Sequence, residues 1–162
     1  MKQNCILPYG FVICIPGKPI PWHRVGGLIH RYDTQKAEKL AIGLLFRKLL
    51  GNTPPYKGPC HLEIKFYFKP PKKFKPSSPY ALDYYMPHRP DKDNLEKFIY
   101  DTMTQANVWL DDCQVVDSHV QKRYLNYNYD KEPYTEIIFQ DLSLLDQYVQ
   151  GDSYESNKRR HQ

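Results

Sequence analysis

Cysteine is scarce in this chain of 162 residues, four in all, and Cys5, Cys14, Cys60 and Cys113 lie far apart with no Cys-x-x-Cys pair among them. That spacing excludes the usual zinc-binding pattern and a disulfide framework, and points to buried thiols in a reducing compartment. No apolar run approaches the ~20 residues of a membrane helix. The apolar stretch from Asn4 to Pro16 is interrupted by Pro8 and Gly10 and preceded only by Lys2, which argues against a secretory signal. The expectation is a soluble, cytoplasmic protein with no membrane partner. A strong charge bias is also missing: 23 Lys and Arg against 18 Asp and Glu give a net charge of +5. This favours an anionic partner but falls short of a histone-like binder. No internal repeat is present, and the length with 41% hydrophobic residues suits one core and one domain.

The chain does carry alternating and helical apolar patterns. Phe11 to Ile15 is a β-branched run ending at Pro16-Gly17, which reads as a buried strand. From Asp33 as N-cap, Ala37, Leu40, Ala41, Leu44 and Leu45 recur at helical spacing until Gly51. His61 to Phe68 alternates, with Leu62, Ile64, Phe66 and Phe68 on one face of a half-buried strand. A Pro-rich and Lys-rich stretch to about Pro90 is too proline-dense for a regular element.

A second helix fits Asn94 to Thr104, with Asp93 as N-cap, Glu96 completing a capping box, and Leu95, Phe98, Ile99 and Met103 facing inward. Gln114 to Tyr124 and Tyr134 to Phe139 read as two strands joined in a hairpin around 126–132. The order strand, helix, strand, helix, strand, strand predicts a small mixed α/β (α+β) domain over 1–141, a mixed sheet with helices packed on it. The tail, 142–162, reads as a short helix followed by a disordered polar terminus.

The densest chemical signal is Arg89-Pro90-Asp91-Lys92-Asp93-Asn94, followed by Leu110-Asp111-Asp112. Asp91 and Asp93 fall at the start of the second helix, where backbone N–H groups and the helix dipole offset carboxylate repulsion. An Asp-x-Asp pair plus a third aspartate from a neighbouring segment suits Mg²⁺, a hard ion that takes oxygen ligands and keeps several waters. A short return through Asn107 and Val108 would bring Asp112 back beside the helix. Lys97, four residues from both Asp93 and Asp101, can reach either carboxylate or a metal-bound phosphate; an ordinary surface ion pair is the plain alternative. Caps and turns also favour Asp for structural reasons alone.

The run Arg89-Pro-Asp-Lys-Asp-Asn-Leu-Glu-Lys-Phe-Ile-Tyr-Asp101, then Val108-Trp-Leu-Asp-Asp-Cys-Gln-Val-Val116 with Lys122 six residues on, resembles the RusA family of Holliday junction resolvases. That resemblance implies a structure-selective endodeoxyribonuclease that resolves four-way junctions or related branched DNA in recombination and repair. It implies Asp91, Asp93 and Asp112 as ligands of a catalytic Mg²⁺, for which Mn²⁺ could substitute, with Lys97 assisting catalysis. It also implies a homodimer, since a nick in each of two opposed strands needs two sites. Asp101 and Lys122 occupy motif positions with less defined roles, and Asp111 remains a possible ligand. The Pro-rich and Lys-rich stretch and the tail after Asp141 are longer than a minimal family member needs.

For DNA contact, Lys65, Lys69, Lys72, Lys73 and Lys75 are interleaved with aromatics and no acid lies between Ile64 and Leu82. Lysines bind phosphate without reading sequence, and an aromatic stacks on an unpaired base. Phe66 and Phe68 belong to the core on alternation, leaving Lys72, Lys73 and Lys75 as the DNA-facing set. Arg24, with Lys18, His23 and Arg31, forms a second candidate surface, and Lys122 is a further one. Lys158-Arg159-Arg160 reads as part of a solvated terminus.

Glu63-Ile64-Lys65 imitates the acid-x-lysine of restriction-type nucleases, but there a Pro-Asp comes first in the chain, and here Pro90-Asp91 follows. The principal alternative is a non-catalytic branched-DNA-binding protein. A metal enzyme with a small phosphorylated substrate is a third class, which the lysines and aromatics disfavour.

Overall fold

The structure is a computed structural model, and it describes residues 4–23, 33–74, 84–125 and 132–143. Among the described residues two α-helices pack on a mixed sheet, as the order of elements predicts, and the sheet has six strands. The central strand is β3 (Cys60–Phe68). Its alternation holds: Leu62, Ile64 and Phe66 are fully buried against the helices, while His61, Glu63 and Lys65 lie on the opposite face and are only partly covered.

On one side of β3 lies β6 (Tyr134–Asp141), antiparallel; β6 also pairs with β2 (Gly10–Pro16), and β2 with β1 (Cys5–Leu7). On the other side lies β5 (Val115–Tyr124), parallel to β3, and beyond it the two residues of β4 (Tyr84–Tyr85). The expected hairpin between the last two strands is therefore not formed. Although β5 and β6 are consecutive in the sequence, β3 sits between them. The parallel pairing explains why: β3 and β5 run in the same direction only because α2 (Lys92–Gln105) supplies the long crossover that parallel strands require. Two short strands, β1 and β4, went unread, the second inside the proline-rich stretch.

Both helices begin differently from expectation. For α1 (Lys36–Leu50) Asp33 is not the N-cap; its carboxylate accepts from the Gln35 N–H at 2.9 Å, forming a turn before the helix. The inward face of α1 is also rotated. Lys39, Gly43 and Phe46 are buried, whereas Leu40 and Leu44 are each 54% exposed. The cause is Lys39, whose ammonium bridges Asp33 at 3.0 Å and Asp101 of α2 at 3.1 Å. A paired charge can be buried where a lone one cannot.

For α2 the N-cap residue is Asp91, which makes no side-chain cap hydrogen bond, and Asp93 stands in the first turn. Glu96 therefore makes no capping box; it accepts from Tyr100 at 2.8 Å and from Ser118 of β5 at 3.3 Å. Leu95, Phe98, Ile99 and Met103 face the sheet as expected.

The described residues form one main core cluster and a small second one of Tyr67, Leu125 and Tyr134. Phe11 stacks on Phe139 with ring centroids 5.0 Å apart, and Trp109, 1% exposed, closes the end of α2 against Phe139. The Trp109 indole donates to Thr104 at 2.7 Å, so its one polar atom is satisfied. Most of the tail, 144–162, including Lys158, Arg159 and Arg160, lies outside the described residues, as does most of the segment expected to form the hairpin.

Candidate active site

Asp91 and Asp93 come together at the start of α2, both exposed, at the positive end of a fourteen-residue helix. The approach to this end is fixed from three sides. The Lys122 ammonium on β5 donates to the carbonyls of His88 at 2.7 Å and Pro90 at 2.8 Å, pinning the residues just before Asp91. The Met86 N–H donates to the Lys122 carbonyl at 3.0 Å. The loop after β2 is tied in by the Trp22 N–H, which donates to the Asn94 carbonyl at 2.7 Å. The Arg89–Pro90 peptide is cis.

Lys97 lies over Trp22, its ammonium 5.0 Å from the ring centroid. This is a cation–π contact; of the two carboxylates Lys97 could reach, that of Asp101 is bound to Lys39. Lys97 itself is exposed beside the Asp91 and Asp93 end. Lys122, expected as a DNA contact, instead directs its ammonium into its own chain. Lys72 and Lys73 are exposed in a turn held by Phe74, which packs on Tyr84 and Tyr124. Arg24, Arg31 and Lys75 lie outside the described residues.

Asp111 and Asp112 occupy a tight 3-10 turn, Asp112–Gln114, built around Gln114. The Gln114 side-chain carbonyl accepts from the N–H groups of Leu110 at 2.8 Å and Asp111 at 3.0 Å. Its amide donates to the carbonyls of Tyr56 at 3.0 Å and Gly58 at 3.1 Å. Asp111 accepts from the Cys113 N–H at 2.9 Å, and that bond holds its carboxyl below the usual range. Asp111 is thus the cap of this turn, while Asp112 stands exposed beside it.

The turn does not fold back to the start of α2. Gln114 and Val115 are anchored at the Tyr56 to Cys60 end of the sheet, while Lys122 reaches Pro90 at the other. Seven strand steps separate Val115 from Lys122 on β5, about 23 Å at ~3.3 Å per residue. Ligands of one Mg²⁺ sit at ~2.1 Å from it, so their oxygens lie within about 4 Å of each other. Among the described residues no group of three or more His, Cys, Asp or Glu side chains is gathered closely enough to hold a metal ion. The donor set has the right chemistry, hard carboxylate oxygen, but one chain brings only Asp91 and Asp93 together.

Fold and carboxylates define a small mixed α/β protein with acidic groups at both ends of one helix-strand unit. The family model described as Endodeoxyribonuclease RusA matches residues 16–138, and the chain belongs to that family. It is similar to the crossover junction endodeoxyribonuclease RusA of Escherichia coli (strain K12), at 49% identity over 43 residues. The same identity over the same length relates it to the protein of that name from Enterobacteria phage 82. Those 43 residues are 25% of this chain and 36% of each relative, so the match spans about a third of the relatives' length.

Among the described residues, no helix is long and apolar enough to cross a membrane. Reading the sequence missed Lys39 and Gln114. A lysine inside a helical pattern and a glutamine after Asp-Asp-Cys carry no local mark of burial or of a capping role.

Proposed function

We propose that this protein is a divalent-metal-dependent endonuclease that cuts branched DNA, acting as a homodimer on four-way junctions. The observation that carries the reading is the exposed Asp91 and Asp93 pair at the start of α2, inside the span matching the RusA family. Asp91, Asp93 and Asp112 would hold Mg²⁺ or Mn²⁺. When bound, the ion supplies Lewis acidity and an activated water for phosphodiester hydrolysis.

The chain's own groups prepare that site. Lys122 holds the two carbonyls before Asp91, so the carboxylate enters the first turn of α2 from a fixed backbone. Trp22 keeps the Lys97 ammonium beside the site, where it meets a phosphate oxygen of the scissile strand. Lys72 and Lys73, exposed beyond the Phe74 anchor, neutralise backbone phosphates without reading sequence. Arg24 and Lys75 remain candidates for the same role.

The test is incubation with an immobile four-way junction and a matched linear duplex, in Mg²⁺ or EDTA. Paired nicks in the junction, dependent on metal and absent from the duplex, are expected. Junction binding with no cleavage in Mg²⁺ or Mn²⁺ would instead establish the non-catalytic binding protein.

A further inference from the structure

The Lys97 ammonium is held in place without being neutralised. It lies 5.0 Å from the centroid of the Trp22 ring, and among the described residues no carboxylate is paired with it. An aromatic face attracts a cation but leaves its charge available to an incoming anion, whereas a carboxylate cancels it.

Helical spacing offers Lys97 such a carboxylate. Asp101 lies four residues on along α2, and no other Lys or Arg stands three or four residues from Asp101 on that helix. Asp93, four residues the other way, belongs to the proposed metal site. Asp101 is instead bound at 3.1 Å by Lys39 of α1, a residue only 5% exposed. The same ammonium binds Asp33 at 3.0 Å, so two carboxylates flank one cation.

The residues around Lys39 also place the aromatic ring. The Gln35 side chain accepts from the His23 N–H at 2.9 Å and donates to the Pro21 carbonyl at 2.8 Å, fixing the chain on both sides of Trp22. The Gln35 N–H donates to Asp33 at 2.9 Å, and the Trp22 ring packs against the main core. Asp33, Gln35 and Lys39 thus form one polar cluster with two effects: it sets Trp22 under Lys97, and it takes up the carboxylate that Lys97 would otherwise meet.

We infer that Lys39 is a positioning residue for Lys97: by binding Asp101 it keeps the Lys97 charge unpaired for the scissile phosphate. The effect on cleavage rests on the metal-nuclease reading, but the inference goes further and gives a role to a buried lysine on the other helix. Without Lys39, Asp33 and Asp101 face each other with no cation between them, and Asp101 draws the Lys97 side chain off Trp22.

Lys39→Met, Lys39→Arg, Asp101→Asn and the double variant Lys39→Met with Asp101→Asn test it beside the wild type. All are assayed below their unfolding temperatures, with the fold verified by circular dichroism. Junction nicking is followed in single turnover at saturating protein. Lys39→Met is expected to nick about fivefold more slowly, the factor that a part-exposed ion pair is strong enough to produce. Adding Asp101→Asn should restore most of that rate, and Lys39→Arg, which can still donate to both carboxylates, should keep it. The deficit of Lys39→Met should also shrink as salt is raised, because the new pair is screened. A double variant as slow as Lys39→Met, or slower, overturns the inference.

The change of partner is read separately, without DNA, from urea midpoints. Lys97→Met and Asp101→Asn are combined in the wild type and again in Lys39→Met. The two substitutions should be additive in the wild type and coupled in Lys39→Met. Additivity in both backgrounds overturns the inference whatever the cleavage result. Coupling confined to Lys39→Met, in a protein whose wild type leaves the junction uncut, supports the exchange of partners and contradicts the nuclease reading instead.

Discussion

Replacing Lys122 with Met separates two roles for this lysine, DNA contact and loop anchor. In the structure its ammonium donates to the carbonyls of His88 and Pro90 at 2.7 and 2.8 Å. A hydrogen bond from a charged donor contributes ~1.5 kcal/mol or more, but the site is only partly buried and the carbonyls regain water on loss of the lysine. The expected destabilisation is about 2 kcal/mol, which for a domain of this size lowers Tm by about 6 °C. The larger effect falls on the site, since a displacement of ~1 Å in a catalytic group costs on the order of 100-fold in rate.

Thermal unfolding, junction cleavage and junction binding across a salt series are measured together. Lower Tm, cleavage reduced by about 100-fold and an unchanged salt slope are expected, with partial rescue by Lys122→Arg, which can still donate twice. Unchanged Tm with weaker binding and a salt slope reduced by about 1 would show that Lys122 contacts phosphate, and would refute the anchoring role.

Three further outcomes follow from the same geometry. Gln114→Ala removes four hydrogen bonds around the Asp112 turn and should cost about 3 kcal/mol in urea unfolding, with cleavage reduced more than junction binding. Lys72→Ala with Lys73→Ala should leave Tm unchanged while weakening junction binding and reducing its salt slope by about 2.

Lys39→Met breaks the buried bridge between Asp33 and Asp101 and should destabilise by about 2 kcal/mol, less than for a fully buried pair because both carboxylates are part-exposed. The Gln35 N–H and then Lys39 hold Asp33 below its ordinary value of 3.8. A depressed carboxyl contributes stability that is present above that value and lost as pH falls through the folded one. Wild-type stability should therefore fall below about pH 4, and the fall should be smaller in Lys39→Met.

The parts of this protein written in local pattern were legible. The alternation of β3 and the inward face of α2 depend on residues two to four apart, and both are found where periodicity puts them. Sheet order is different: β5 and β6 were read as a hairpin because they are consecutive, but the insertion of β3 depends on pairing across more than fifty residues. The face of α1 was misread because Leu40 and Leu44 outrank a lysine in apolarity, while the Lys39 bridges that set the rotation come from distant segments.

The candidate site divides the same way. Asp91 and Asp93 are neighbours in sequence and in space. Asp112 is close in sequence, yet α2 carries the chain away from the pair, and β5 spends its length coming back. Sequence separation alone does not hold that distance.

The most direct measurement of the central claim follows Asp93→Asn on a four-way junction in Mg²⁺, scoring binding by gel shift and cleavage by strand nicking in the same samples. The account predicts that the variant binds the junction as the wild type does and leaves it uncut. Wild-type cleavage by the variant would contradict it, because Asp93 could then not be part of the machinery.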